Sequence, residues 1–317
     1  MNLDEDLKDV LRLKKELSIE FEGRSIENIF DGEVVENEYG ECYCIRRSAE
    51  VSSKIFKIDE NAILTDLKVL PGIGDRTADK LKAEGYETIR DLTGHPLWEE
   101  CAKNFLNLLD RENRNELNTE ICSRFPASHP IHLYLSERHD EFLLFDLETM
   151  GLFGEPIILF GAARLKLKSA PSLEVSQFLL RGLSDEVSAI AAFKDEFDGL
   201  PLITFNGRRF DLPYFKRRAT SYGIRHSFDG LHLDLLHFSR RFLSNNLPDC
   251  RLSTIEAHIL GVKRDIDMPG SLVPAFYKEF LETGNAASLI PIVEHNFQDV
   301  VSLGELFLHL KKVSCID

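Results

Sequence analysis

No apolar run in these 317 residues approaches the roughly 20 needed to cross a bilayer. The first ten residues, MNLDEDLKDV, are acidic and lack the basic start and apolar stretch of a secretory leader. Both absences argue against a membrane role, and a cytoplasmic setting is the expectation. The six cysteines, at positions 42, 44, 101, 122, 250 and 315, never form a C-x-x-C pair. That spacing argues against a disulfide framework and against a structural zinc site, so reduced thiols are expected. Basic charge is also short, since the formal net charge is −15. A protein that coats nucleic acid through its overall charge needs the opposite balance, because Lys and Arg displace counterions from phosphate. Repeats and low-complexity segments are missing as well.

What the chain does have is enough apolar sequence, 43% of its residues, for one substantial core plus one or two smaller modules. Residues 1–58 open with the charged helical pattern DEDLKDVLRLKKEL and continue into GEVVENEYGECYCIRR, where alternating segments on either side of Tyr39-Gly40 predict a β-hairpin appendage. Residues 59–124 are helical in pattern throughout. FPASHP, with two prolines, predicts a linker, and 130–317 reads as one α/β domain. Its strand candidates are HLYL, EFLLFDLE, PIILFGAARLKL, EVSQFLLR, PLITFNG and LHLDLL. Helical patterns follow at 185–197, 213–222, 253–260 and 291–310. Strands first and then strands interleaved with helices predict a mixed sheet covered by helices.

Charge is uneven along the chain. Between Asn206 and Arg225, six basic side chains (Arg208, Arg209, Lys216, Arg217, Arg218, Arg225) face one acidic residue, Asp211. Such a track suits phosphate, and it equally suits a solvated helix face.

In the 59–124 unit, LKVLPGIGDRTADKLKAEGYETIRDL sets a glycine-rich turn between two helical patterns, with Asp75 as expected N-cap and Gly85 as stop. Gly72 and Gly74 allow close backbone approach, and the N–H groups opening the next helix can receive a phosphate oxygen. Lys80 and Lys82 add charge. This stretch resembles the helix-hairpin-helix motif, which implies contact with nucleic-acid backbone without sequence readout. The other reading is a hairpin that packs helices or binds protein. Trp98 is expected in the core of this unit.

The acidic residues raise the sharper question. In EFLLFDLETMGL, Asp146 and Glu148 lie two apart on an apolar strand, so they share a face with Leu144 while Phe145 and Leu147 take the other. Their backbones are then about 7 Å apart. Two neighbouring carboxylates on a sheet repel and lose water, and a divalent cation between them is the simplest remedy. In PLITFNGRRFDLPYF a strand runs into Asn206-Gly207, and Asp211 stands at a helix entry, where a plain N-cap is the alternative. In VEHNFQDVVSLGELFLHL, His295 and Asp299 are one helical turn apart. The capping box S-T-I-E assigns Ser253 and Glu256 to folding.

Together these segments resemble the DEDD superfamily of 3′–5′ exonucleases, which have a ribonuclease H fold. The resemblance sharpens to the YprB-like ribonuclease H family through DLLHFSRRF, CRLSTIEAHILG, PGSLVPAFY, TGN and EHNFQDVVSL, which occur in that order between Asp234 and Leu303. It implies that Asp146, Glu148, Asp211 and Asp299 hold two divalent ions, Mg²⁺ or Mn²⁺, with His295 as general base. It further implies that Asn206 orients substrate and that Arg208, Arg209 or Arg218 bind phosphate. Asp234 is either an outer ligand or an ordinary strand-end carboxylate. The expected fold is therefore a ribonuclease H-like mixed sheet flanked by helices, preceded by the helix-hairpin-helix unit and the hairpin appendage.

The expected activity is two-metal hydrolysis of DNA or RNA from a 3′ end. A structure-selective endonuclease using the same acids, or a non-catalytic nucleic-acid-binding scaffold, remains the alternative. Two positions depart from the family pattern. The three-residue gap between His295 and Asp299 is the spacing usual for a Tyr in place of the His, and Met150 stands where relatives carry Thr.

Overall fold

The computed structural model describes residues 12, 14–17, 19–110, 114–168, 170–228, 230–264 and 268–314. Seven strands are present among them: β1 (Gly32–Asn37), β2 (Gly40–Glu50), β3 (Glu141–Thr149), β4 (Ile157–Lys166), β5 (Ser172–Leu179), β6 (Leu202–Thr204) and β7 (His232–Asp234). They form one sheet in the order β1-β2-β5-β4-β3-β6-β7. The pairs from β1 to β3 are antiparallel, and β3–β6 and β6–β7 are parallel, so the sheet is mixed as expected.

The helices in chain order are α1 (Ile26–Ile29), α2 (Glu60–Leu64), α3 (Asp75–Ala83), α4 (Glu99–Leu109), α5 (Arg114–Arg124) and α6 (Pro130–Leu135), followed by α7 (Glu186–Asp195), α8 (Asp211–Ser221), α9 (Leu235–Phe242), α10 (Leu252–Ile255), α11 (Val273–Thr283) and α12 (Ile290–Val313).

Strand β3 is apolar on both sides because both faces of the sheet are covered. Its even-numbered residues Phe142 and Leu144 pack, with Ala163 of β4 and Val175 of β5, against Val300, Leu303 and Phe307 of α12. The odd-numbered Leu143, Phe145 and Leu147 pack on the opposite face with Phe193 of α7 and Phe215 of α8. Each such side chain contributes about 1.5–3 kcal/mol on burial, and the two layers fix which way every β3 residue points. Asp146 and Glu148 consequently face α12.

Several elements of the fold depart from the sequence expectations. The hairpin is not a separate appendage, because β2 pairs along its length with β5 and extends the central sheet. HLYL is helix α6 rather than a strand: Pro130 occupies its first turn, and the His129 side chain accepts from Ile131 N–H at 3.2 Å as its cap. FPASHP is a packed turn rather than an open linker. His132 is buried with its Nε2 3.0 Å from the Pro126 carbonyl, and a single apolar cluster runs from Leu64 and Leu92 of the helical unit to Leu144 of the sheet. The S-T-I-E box does not cap, since Asp249 accepts from Arg251 N–H and Thr254 Oγ1, and Glu256 is buried in a π-helical turn, Glu256–Leu260.

Helix α12 ties these pieces down. Glu305 accepts from Ser52 N–H and Ser53 N–H (2.5 and 3.1 Å) after β2, while buried Lys311 pairs with Glu137 (2.8 Å), which also accepts from Ile58 N–H. Among the described residues, Cys42, Cys44, Cys101, Cys122 and Cys250 are free; Cys315 and most of the Asp4–Leu17 helical pattern lie outside them. No helix among the described residues is long and apolar enough to cross a membrane.

Candidate active site

The fold brings the four carboxylates together. Asp146 and Glu148 come from β3, Asp211 from the first turn of α8 and Asp299 from α12. Burial raises the carboxyl pKa of Asp146 well above its usual value, helped by the neighbouring charges of Asp299, Glu148 and Asp211. Glu148 is raised by burial and then by Asp299 and Asp211, with Arg264 acting in the opposite sense. Asp211 is pushed up to about 7, chiefly by burial, against backbone N–H groups that favour its charge. A cluster in which three acids resist ionisation carries more negative charge than its surroundings compensate. Its donors are oxygens, with one imidazole at the edge, which suits a hard divalent cation.

Two neighbours now occupy these acids. Asn296, fully buried on α12, donates from Nδ2 to Asp146 Oδ2 at 3.0 Å. Gly161 on β4 makes room for it, since a Cβ there would overlap the Asn296 amide. Arg264 binds Glu256 through two bonds of 2.7 Å each and also donates to Asp299 and to His295 Nδ1, the last at 2.8 Å. Ser302 Oγ holds Glu256 Oε1 at 2.5 Å. As they stand, no three acidic, His or Cys side chains among the described residues surround one metal position. Asp299 is paired with Arg264.

His295 lies where expected, its Nε2 3.9 Å from Glu148 and 3.7 Å from Asp299. A guanidinium only donates, so Nδ1 accepts from Arg264, and a neutral ring then carries its proton on Nε2. The lone pair therefore faces Arg264 rather than the acids, and base action from Nε2 requires Arg264 to release the ring.

The second segment is held by Asp234. Its carboxylate accepts from the N–H groups of Asn206 (2.7 Å), Arg208 (3.1 Å) and Leu236 (3.2 Å), which makes it the N-cap of α9 and the brace of the loop leading to Asp211. Asn206 sits in the left-handed region at φ 64°, and Gly207 is required because a Cβ would overlap Thr204.

Among the basic residues, Arg209 is exposed. Arg208 donates to the His232 carbonyl. Arg218 is committed elsewhere than phosphate, because it pairs with fully buried Glu186 and donates to Gly154 O at 2.7 Å. With Tyr214, whose single hydroxyl proton is shared between Gly151 O (2.9 Å) and Glu155 O (2.7 Å), it pins the loop after β3. That loop presents Leu152 and Phe153 to solvent, Phe153 being 93% exposed. Met150 packs into the core, and its N–H donates to Pro156 O at 3.0 Å.

A groove of about 580 Å³ opens beside Asp146 and Asp299, lined by Phe205, Asn206, Arg240 and Arg251. Sequence reading missed Arg240, Arg251, Arg264 and Asn296, and gave Glu256 to a capping box. A buried Glu–Arg pair leaves no local pattern, and of the two arginines in SRRF only Arg240 lines the groove.

In the helical unit, Gly72 takes φ 86° against Trp98, and Gly74 rather than Asp75 is the N-cap of α3. Asp75 pairs with Lys68 at 3.1 Å, and Lys80 with Glu84 at 3.7 Å.

A family model described as the RNase_H superfamily matches residues 143–311, more than half of the chain. The chain belongs to the ribonuclease H superfamily. This ribonuclease H-like chain is 37% identical over 175 residues to the uncharacterized protein YprB of Bacillus subtilis (strain 168), an alignment covering 53% of this chain and 41% of YprB. It thus spans less than half the length of that curated relative. Among solved structures it is similar to E. coli exonuclease I with a dT13 oligonucleotide (16% identity, TM-score 0.32, covering 49% of this chain and 44% of the other). It is likewise similar to an apo form of exonuclease I (16%, TM-score 0.31, 52% and 47%).

Arg264→Met leaves Glu256 as an uncompensated buried charge and is expected to destabilise the fold by about 3–5 kcal/mol. Adding Glu256→Gln should recover part of that loss in urea unfolding. For Asp211, the folded carboxyl binds its proton more tightly than the unfolded one, so stability falls as pH rises from about 4 to about 7. Asp211→Asn is therefore expected to melt at a higher temperature than the unaltered chain above pH 7 in EDTA. That advantage should vanish near pH 4.

Proposed function

We propose that this ribonuclease H-like protein is a divalent-metal-dependent nuclease, most directly a 3′–5′ exonuclease on DNA or RNA. The observation that carries the reading is the convergence of Asp146, Glu148, Asp211 and Asp299, from three distant segments, into one cluster whose negative charge Arg264 compensates only in part. Such a cluster is a poor structural element and a good seat for Mg²⁺ or Mn²⁺. Two ions held there would polarise the phosphodiester and the attacking water and stabilise the leaving oxygen.

The chain's own residues do the remaining work. Arg240 and Arg251 in the groove are placed to meet phosphate oxygens, and Asn206, fixed by Asp234, faces the same space. Phe205 on the groove wall and Phe153 on the pinned loop offer faces for base stacking, which tolerates any sequence. Once Arg264 has released Nδ1 and the ring proton has moved there from Nε2, the freed Nε2 lone pair of His295 takes the proton of the attacking water. The helical hairpin around Gly72, Gly74 and Lys80 serves as a second contact with the nucleic-acid backbone. That division of labour suits a chain of net charge −15, where binding rests on a few local cations.

End-labelled single-stranded and duplex DNA and RNA, incubated with Mg²⁺, Mn²⁺ or EDTA, test the reading. Stepwise shortening that stops in EDTA and falls to background in Asp146→Asn is expected, and activity surviving both sinks it. Internal fragments would instead favour endonucleolytic cutting by the same acids. For the hairpin, Gly74 has ordinary negative φ and open space around it, so Gly74→Glu should fold normally. It is expected to weaken retention of long substrates in a gel-shift assay while leaving cleavage of very short ones intact.

A further inference from the structure

Strand β2 lies outside the matched residues 143–311, yet one of its side chains reaches the acid cluster through two carboxamides. Arg47, opposite Val175 of β5, donates to Gln177 Oε1 at 2.6 Å. Gln177 Nε2 donates to the Val293 carbonyl and to Asn296 Oδ1, both at 2.9 Å. Asn296 Nδ2 then donates to Asp146 Oδ2 at 3.0 Å and to the Asp146 carbonyl at 3.2 Å. Asp146, Gly161 and Gln177 are direct neighbours across β3, β4 and β5, so the bare glycine in the middle forms the channel for Asn296. Gln177 and Asn296 are both fully buried.

Hydrogen-bond chemistry fixes the direction of this chain. A guanidinium can only donate, so Gln177 turns its oxygen to Arg47 and its nitrogen to Asn296. Asn296 is then left with its nitrogen toward Asp146. Turning the amides over would set donor against donor at Arg47 and a carbonyl oxygen against the Asp146 carboxylate, in an interior where no water can mend the mismatch. The Val293 carbonyl demands the same orientation of Gln177. Arg47 itself is clamped by α12, through Glu294 at 2.7 Å and the ring of Phe297, 3.7 Å below the guanidinium.

We propose that Arg47 is a positioning residue for Asp146, acting through Gln177 and Asn296, so that the N-terminal hairpin is a working part of the acid site. The inference rests on the reading of Asp146 as a metal ligand. Mn²⁺ affinity of the full chain, measured by electron paramagnetic resonance, tests it in the unaltered protein and in Arg47→Met, Arg47→Lys and Glu294→Gln.

Removing an outer partner of a metal ligand weakens affinity about 10–100-fold, and about tenfold is expected for Arg47→Met. Arg47→Lys restores a donor and should recover most of the loss. Glu294→Gln keeps the bond to Gln177 and should bind as the unaltered chain does. Unchanged affinity in Arg47→Met overturns the proposal, as does an equal loss in Glu294→Gln, which would place the effect in the clamp on α12. Should Arg47→Met fail to fold, nuclear magnetic resonance of the unaltered chain decides. Mg²⁺ is expected to shift the side-chain amide signals of both Asn296 and Gln177, and a shift confined to Asn296 overturns the relay. An unaltered chain that binds no Mn²⁺ overturns the metal reading of Asp146 and this inference with it.

Discussion

A carboxylate on the inward face of a central strand has given up most of its water, and Asp146 keeps its place because Asn296 reaches down from α12 to donate to it. That contact requires Gly161 on the adjacent strand, where any side chain would fill the space the amide needs. It also requires α12 to cross the sheet at a fixed height and rotation, set by Val300, Leu303 and Phe307 packing on Phe142 and Leu144. The same rotation carries His295 and Asp299 to the edge of the cluster and points Ser302 at Glu256. Packing and chemistry are thus not separable here: a small slide of α12 would move the metal-site candidates, their amide partner and the Glu256–Arg264 pair together.

The second consequence is electrostatic. Bringing four acids together raises the pKa of three of them, first through burial and then through their mutual charge. Arg264 answers part of that charge, bridging Glu256, Asp299 and His295. Its guanidinium is a cation the chain supplies for itself beside Asp299. The bridge also sets the imidazole tautomer. Arg264 therefore links two properties that would otherwise be independent, the availability of Asp299 and the direction of the His295 lone pair. Asp234 plays a comparable part for the second segment, accepting from the N–H of Asn206, which sits in the left-handed conformation that asparagine tolerates.

Much of this arrangement was legible in the sequence, for reasons that differ by element. The D-x-E pair was visible because strand alternation places alternate residues on one face, and β3 is long enough to show it. His295 and Asp299 were visible through helical spacing. HLYL misled because four apolar residues fit a strand or a buried helix equally well. His129 and Pro130 just before it decide for the helix, as cap and first-turn residue. S-T-I-E matched a capping box locally, but Glu256 found stronger partners in Arg264 and Ser302, which no window of a few residues contains. Asn296, Gln177 and Arg47 look like surface polar residues in sequence, and only the cross-strand register of β2, β5, β4 and β3 puts them in one line.

That register also changes what the N-terminal segment is. A hairpin attached by its ends could be lost without touching the sheet, whereas β2 hydrogen-bonds along β5 from Tyr43 to Glu50 and gives the sheet its width on that side. Glu305 and Glu137 then gather the chain leaving β2, one from α12 and one through Lys311 of α12. The helical unit that follows shares its apolar cluster with β3 and α12 rather than closing a core of its own. Among the described residues, the chain leaving β2 and the packed turn before β3 are therefore fastened to the same helix that carries Asn296 and Asp299. The acid site is positioned from both ends of the chain, with α12 as the element where the two sets of contacts meet.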